Sequence, residues 1–131
     1  VCSSDLIYSG ADKITGMWEP FYYTTAIVDG EAVVLRLISA DADTDTEAKV
    51  EVIAAFPGCS DISEIHRNEF AIITDNSGNS GVIDIDGNIL IPMEYPDVDY
   101  EIMYGYGAEK EVVVFRLTGD DGKHSFMNIE F

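Results

Sequence analysis

The stretch Gly81–Val98, GVIDIDGNILIPMEYPDV, constrains the fold more than any other part of the sequence. Two apolar runs, Gly81–Ile85 and Ile89–Ile91, flank the pair Asp86-Gly87. Asp-Gly between apolar runs is a strong signal of a β-hairpin, because glycine adopts the left-handed backbone that a tight turn requires. The stretch therefore predicts antiparallel β structure, and it contains no residue that indicates a chemical activity.

The register of this hairpin follows from matching apolar residues across the turn. With Gly87 in the left-handed conformation of a three-residue loop, we expect the opposed pairs to be Ile83 with Ile89, Val82 with Leu90, and Asp84 with Asn88. A slip by one residue would place Asp84 opposite Ile89 and would turn each side chain to the other face of the sheet. The pattern therefore favours the first register.

Two sequence markers recur at similar intervals along the chain. The first is an aromatic anchor at Phe21, Phe56, Tyr95 and Phe131, with spacings of 35 to 39 residues. The second is a glutamate followed by an apolar run, at Glu31, Glu69 and Glu111. Because the second marker falls once within each interval of the first, the two markers together predict three degenerate repeats, at approximately 21–56, 56–95 and 95–131. The alternative is that any all-β chain shows strands at such intervals.

The residues of the central stretch also resemble the WG repeat of bacterial repeat proteins. The matching positions are Gly81, Ile83, Asp84, Gly87, Ile91, Pro92, Tyr95 and Val98. Two positions depart from that repeat, since Ser80 stands where the tryptophan would be and Pro96 where an aspartate is usual. The resemblance implies tandem β-hairpin repeats within a larger protein, and it implies no catalytic residues. We therefore expect an all-β fold of tandem antiparallel β-hairpin repeats, arranged as an open barrel, a solenoid or a partial propeller.

The first six residues, VCSSDL, resemble a translated sequencing adaptor, so we exclude 1–6 from the fold and treat 7–131 as one β-repeat domain. We expect the natural protein to continue upstream and this chain to be a fragment from environmental sequencing. Without Cys2, Cys59 stands alone, and its expected role is that of a small buried apolar residue. The sequence gives no evidence on a signal peptide, and a cell-envelope or extracellular location is favoured.

The composition is strongly acidic, with 25 Asp and Glu against 7 Lys and Arg and a formal net charge of −18. This charge argues against binding to nucleic acid or to anionic membrane surfaces, because both require a basic surface. No apolar run approaches the length of a membrane-spanning helix, so no membrane insertion is expected. The charge is compatible with solubility, with cation binding or with a basic partner.

One polar loop has the alternating carboxylates of a calcium-binding loop. These residues are Asp41, Asp43, Asp45 and Glu47. The EF-hand pattern then fails, because Thr46 stands where glycine is required and Val52 where a bidentate glutamate is required. A charged insertion between strands is the better interpretation, and calcium is kept as an alternative cofactor.

Aromatic residues form the best candidates for a recognition surface. Trp18 lies in an aromatic cluster, and Tyr100, Tyr104 and Tyr106 precede or flank Gly105 beside acidic residues. In an extended segment Tyr104 and Tyr106 would share one face and could stack on a glycan or an extended peptide. The alternative for all four residues is ordinary packing of aromatic rings in a small β-protein.

The sequence contains no Gly-x-Ser-x-Gly elbow, no glycine-rich phosphate loop, no His-Glu-x-x-His and no Cys-x-x-Cys, whereas its many carboxylates are compatible by residue type with a glycosidase pair. Residues Cys59–Arg67 predict a short turn and helix, and His66 and His124 are expected at the surface. We expect a non-catalytic repeat scaffold or interaction module that presents loops and an acidic face to a protein or polymer. The alternatives are a calcium-dependent or carbohydrate-binding module, and an accessory domain of an enzyme encoded upstream.

Overall fold

The computed structural model describes residues 11–18, 23–38, 49–67, 69–104 and 111–131. Within these ranges the chain forms eleven β-strands and no helix, which confirms the predicted all-β class. Each strand pairs antiparallel with at least one strand adjacent to it in the sequence.

The strands form three sheets, in each of which the strand order follows the sequence. Sheet 1 consists of β1 (Ala11–Trp18), β2 (Tyr23–Val28), β3 (Glu31–Ile38) and β4 (Lys49–Phe56). Sheet 2 consists of β5 (Cys59–Ile62), β6 (Phe70–Asp75), β7 (Ser80–Asp84) and β8 (Ile89–Tyr95). Sheet 3 consists of β9 (Asp97–Tyr104), β10 (Glu111–Thr118) and β11 (His124–Ile129).

The predicted hairpin is the pair β7 and β8. Gly87 has a φ of 87°, as the three-residue loop requires. The side chain of Asp84 stabilises the turn, because its Oδ1 accepts hydrogen bonds from the backbone N–H groups of Asp86 at 3.0 Å and Asn88 at 2.8 Å. This local hydrogen bonding is typical of aspartate in turns.

The predicted register is right near the turn and wrong beyond it. Ile83 opposes Ile89, and the Asp84 N–H donates to the Asn88 carbonyl at 3.0 Å, both as expected. Val82, however, opposes Ile91 and not Leu90, because the register shifts between Val82 and Ile83. Such a bulge adds one residue to one strand and turns Ile91 into the core, where it is fully buried.

The three sheets stack with sheet 2 in the middle. One core lies between sheets 1 and 2 and consists of Ile27, Ala32, Val34, Phe56, Cys59, Ile62, Ala71, Ile73 and Ile83. A second core lies between sheets 2 and 3 and consists of Phe70, Val82, Ile91, Val98, Val113, Phe115 and Leu117. Sheet 2 is therefore covered by apolar residues on both faces, which explains its near-continuous apolar sequence.

Strand β6 shows how one strand serves both cores. Ala71 and Ile73 point toward sheet 1, whereas Phe70 and the partly buried Ile72 point toward sheet 3. Successive side chains of a strand point to opposite faces, so an apolar residue is required at each of these positions. The apolar run that follows Glu69 therefore reflects the burial of β6 on both of its faces.

The sheets differ in two respects from the sequence expectations. Sheets 1 and 2 have four strands and sheet 3 has three, so each sheet is larger than a single hairpin. Residues Cys59–Ile62 form β5 and not the start of a helix, because they pair with β6. The arrangement of the sheets as an open barrel, a solenoid or a partial propeller stays a prediction.

Candidate protein-binding face

One face of sheet 3 is open to solvent, and we call it the open face. On β10, Val113, Phe115 and Leu117 are buried against sheet 2. The intervening residues, Val114 and Arg116, point the other way, and they are partly buried and exposed, respectively. The open face is thus formed by every second residue of β9, β10 and β11.

A shallow groove of about 600 Å³ crosses the open face. Its lining residues come from all three strands and are Asp99, Tyr100, Glu101, Met103, Val114, Arg116 and Phe126. Met103 is 52% exposed and Phe126 is 70% exposed, although both are large and apolar. Large apolar side chains left in solvent along one groove are typical of an interaction site.

The charge on the open face is predominantly acidic. Asp97, Asp99 and Glu101 alternate along β9 on this face, and Arg116 lies beside them on β10. The Arg116 Nη2 is 3.8 Å from Asp97 Oδ2 and 3.4 Å from Asp99 Oδ2. Within the described ranges, no basic side chain forms an ion pair with Glu101. A positively charged group on a ligand would therefore find a carboxylate at the edge of the groove.

Tyr100, a predicted recognition residue, is among the residues that line the groove, but its ring lies on the buried side of sheet 3. The ring packs edge to face on Phe70, with centroids 4.9 Å apart, and its hydroxyl lies 3.1 Å from the His66 Nδ1. These contacts engage the ring in the core between sheets 2 and 3, so it is not a free stacking platform.

The other predicted aromatic residues are placed as follows. Tyr104 is 72% exposed, and its hydroxyl donates a hydrogen bond to Glu111 Oε1 at 3.0 Å, which raises the pKa of Tyr104. Tyr106 lies outside the described residues, as does the side chain of Trp18, the last residue of β1. Tyr104 is therefore the one exposed tyrosine of this set among the described side chains.

The predicted calcium ligands lie in the range 39–48, outside the described residues; they are Asp41, Asp43, Asp45 and Glu47. Among the residues that the structure does describe, no group of three or more His, Cys, Asp or Glu side chains could hold a metal ion. Calcium binding by the loop stays a prediction.

His66 was expected at the surface, but it is partly buried between sheets 2 and 3, with a side chain that is 17% exposed. Its ring lies between Phe70 and Tyr100, with centroid distances of 5.4 Å and 4.7 Å. Burial lowers the pKa of His66, and the nearby Glu64 carboxylate opposes this effect. The ring therefore joins sheets 2 and 3, and nothing in the local sequence indicates this role.

Cys59 is buried, as expected of a lone cysteine. Its Sγ lies 3.2 Å from the Met93 Sδ, within the core between sheets 1 and 2. Burial, followed by the negative charge of Asp75, raises the pKa of the thiol. Both effects disfavour the reactive thiolate, so the residue has a packing role.

The side chains that line the groove suit binding more than bond cleavage. They are carboxylates, one arginine and apolar groups on a wide, solvent-exposed surface. Sequence reasoning missed Met103 and Phe126 as members of one site. The available signal was the acidic alternation at Asp97, Asp99 and Glu101, which marks one solvent-facing side of a strand.

Comparisons with protein-family models, with curated proteins and with solved structures each found no match to this chain. In the part of the chain that the structure describes, no helix is long and apolar enough to cross a membrane.

Proposed function

We propose that this chain is a non-catalytic interaction module, in which stacked antiparallel sheets form a scaffold and the open face binds another protein. The observation that supports this function best is the groove of about 600 Å³ between the exposed side chains of Met103 and Phe126. Burial of these two side chains by a partner would remove apolar surface from water, which is the main driving force of association.

The charge of the chain indicates the chemistry of the partner. The net charge of the chain is −18, and two of its carboxylates, those of Asp99 and Glu101, lie beside the groove on the open face. An acidic surface attracts a basic partner and repels an acidic one, which raises both the association rate and the selectivity. We therefore propose an extended segment that combines apolar residues with lysine or arginine.

We also propose that the three sheets are degenerate repeats of one array. Support comes from the marker strands β3, β6 and β10, each of which begins at or directly after a glutamate. In β3, Ala32 and Val34 point toward sheet 2, as Phe70 and Ile72 of β6 point toward sheet 3. The same positions after the glutamate thus face the next sheet in the stack.

Selection from a displayed library of random peptides, followed by affinity measurements, tests the binding function. We expect enriched peptides to contain an aromatic or long aliphatic residue next to Lys or Arg. The substitution Met103→Asp should weaken their binding at least about tenfold, because it replaces an apolar contact by a carboxylate. The matched control is Val52→Asp on sheet 1, since Val52 and Met103 are both 52% exposed.

Two results would contradict the proposal. One is a selection in which no peptide sequence is enriched over background. The other is an affinity for the selected peptides that falls equally in Met103→Asp and in Val52→Asp. Since both substitutions are at exposed sites, each variant should retain the urea midpoint of the parent protein.

A second candidate is carbohydrate binding at Tyr104. The supporting observation is a tyrosine ring that is 72% exposed and hydrogen-bonded to Glu111, since an aromatic ring beside a carboxylate suits a sugar. Titration with a panel of oligosaccharides, compared between the parent and Tyr104→Ala, tests this function. Saturable binding that Tyr104→Ala abolishes would favour it, and unchanged binding or no binding would exclude this site.

A further inference from the structure

The side chains of β9 on the open face form a row with regular spacing. The row consists of every second residue of the strand, namely Asp97, Asp99, Glu101 and Met103. Alternate residues of a strand lie about 6.6–6.8 Å apart. The alternate residues of an extended ligand have the same spacing, so such a ligand can match this row residue by residue.

Strand β10 gives the carboxylates of this row different neighbours. Arg116 stands directly opposite Asp99, whereas Val114 stands directly opposite Glu101. Both β10 residues line the groove of the open face. Asp99 therefore has a guanidinium beside it across the sheet, and Glu101 has an apolar side chain.

Arg116 engages the two carboxylates at one end of the row. Its Nη2 donates a hydrogen bond to the Asp99 Oδ2 at 3.4 Å and lies 3.8 Å from the Asp97 Oδ2. These distances are long for charge-assisted contacts, and the arginine side chain is 44% exposed. Exposed ion pairs of this kind add little to the stability of a fold. Their larger effect is on the local charge, because they neutralise part of the negative charge of the row.

Glu101 is in a different situation. In the part of the chain that the structure describes, no lysine or arginine forms an ion pair with its carboxylate. Its neighbours on the open face include Met103, two residues further along β9, and Val114 on β10. A basic side chain that binds Glu101 therefore lies next to the apolar part of the groove.

We infer that Arg116 is a specificity-determining residue of the groove, which limits the ligand to a single basic side chain bound at Glu101. The inference rests on the proposed peptide binding at the open face. An extended ligand with an apolar residue over Met103 would place its basic residue two positions away, over Glu101. A second basic residue, two positions further along, would face Asp99, where the Arg116 guanidinium already lies.

Two effects disfavour a second basic residue at that position. The first is repulsion by the positive charge of Arg116, and unfavourable contacts of this kind are a common source of specificity. The second is competition for the Asp99 carboxylate. Because Arg116 belongs to the same chain, it competes at a high effective concentration, and a ligand side chain must displace it. The arginine therefore sets how many basic residues of the ligand contribute to affinity.

Two synthetic peptides test the inference. Each contains a leucine, a lysine two positions later, and a variable residue two positions after the lysine. The variable residue is serine in the monobasic peptide and lysine in the dibasic peptide, and both peptides are also made in the reverse sequence order to cover either direction along β9. Amide chemical shifts of the isotope-labelled protein locate the binding site and give each dissociation constant.

The measured quantity is the dissociation constant of the monobasic peptide divided by that of the dibasic peptide. The parent protein should show a ratio below about twofold, because the second lysine gains no free carboxylate. The titrations are done at physiological ionic strength, where charges more than about 8 Å apart are largely screened. The ratio therefore reports on the groups beside the variable residue.

Substitutions of arginine show which group sets this ratio. Arg116→Gln makes the carboxylates of Asp97 and Asp99 available and removes the repulsion, so the ratio should rise to about fivefold or more. Arg116→Lys retains the positive charge and should keep the ratio of the parent. The matched control is Arg36→Gln at an exposed position of β3, which changes the net charge equally and should also keep that ratio.

Three results would overturn the inference while the proposed function stands. They are a parent protein that already binds the dibasic peptide about fivefold more tightly, an Arg116→Gln variant with the ratio of the parent, and an equal rise of the ratio in Arg116→Gln and Arg36→Gln. In each case the monobasic peptide still binds the parent, and Met103→Asp still weakens that binding. If neither peptide shifts the amide signals of the groove residues, the proposed function and the inference both fail.

Discussion

Phe70 is the residue whose replacement should most weaken the contact between sheets 2 and 3. It is fully buried, and its ring centroid lies 4.9 Å from that of Tyr100 and 5.0 Å from that of Phe115, both in edge-to-face geometry. Phe131 stacks on the same ring at 5.6 Å. The substitution Phe70→Ala would remove these three ring contacts and the one to His66, and it would leave a cavity between the two sheets.

The expected loss of stability follows from burial and ring contacts. Replacement of a buried phenylalanine by alanine lowers the free energy of unfolding by about 3–5 kcal/mol. The free energy of unfolding of a domain of this size is about 5–15 kcal/mol, so Phe70→Ala should remove a large part of the stability. Phe70→Leu retains most of the volume and loses mainly the two edge-to-face pairs, for a decrease of about 1–3 kcal/mol.

Urea unfolding followed by circular dichroism measures these losses. With an m-value of about 1–3 kcal/mol per molar urea, a loss of about 3 kcal/mol lowers the midpoint by about 1 M or more. The matched control is Phe126→Ala, the same substitution at a side chain that is 70% exposed. It should change the free energy of unfolding by less than about 0.5 kcal/mol. Equal losses for Phe70→Ala and Phe126→Ala would refute the stacked core between sheets 2 and 3.

Three further predictions concern single residues. Gly81→Ala should lower the free energy of unfolding by about 1–3 kcal/mol in urea, because the added methyl group would overlap the backbone carbonyl oxygen of Ile91 in β8. Burial lowers the pKa of His66, so the unfolded chain binds a proton here more readily than the folded chain. Its effect on stability is therefore absent above the ordinary pKa of about 6.5, and the free energy of unfolding falls as the pH drops below that value. The urea midpoint of the parent protein should therefore differ between about pH 8 and about pH 5. This difference should be smaller in His66→Gln than in the parent protein and unchanged in the control His124→Gln. Cys59 should react with a thiol-specific disulfide reagent only after unfolding, because burial raises its pKa; fast reaction of the native chain would contradict the packing.

Local sequence was sufficient to predict those parts of the structure that depend on local interactions. The turn at Gly87 needs a residue that tolerates a positive φ, and the Asp84 side chain bonds to backbone groups within the same loop. Both requirements are met within five residues, so they are visible in the sequence. The apolar run after Glu69 is likewise a local pattern, and the structure shows that its strand, β6, is buried on both faces.

The tertiary structure decided what depends on residues distant in sequence. The bulge that turns Ile91 into the core serves the contact with sheet 3, and no local pattern specifies it. Asp97, Asp99 and Glu101 mark one side of β9 as facing solvent, but nothing in the local sequence shows which sheet covers the other side. The packing of sheet 2 against one side of β9 selected Tyr100 for the core and left Met103 in solvent. The sequence by itself thus determined strands and turns, through short-range backbone preferences. The neighbouring sheet determined which face of each strand is covered. The reason is that the hydrophobic effect is non-directional, so it favours burial of apolar surface without specifying the partner.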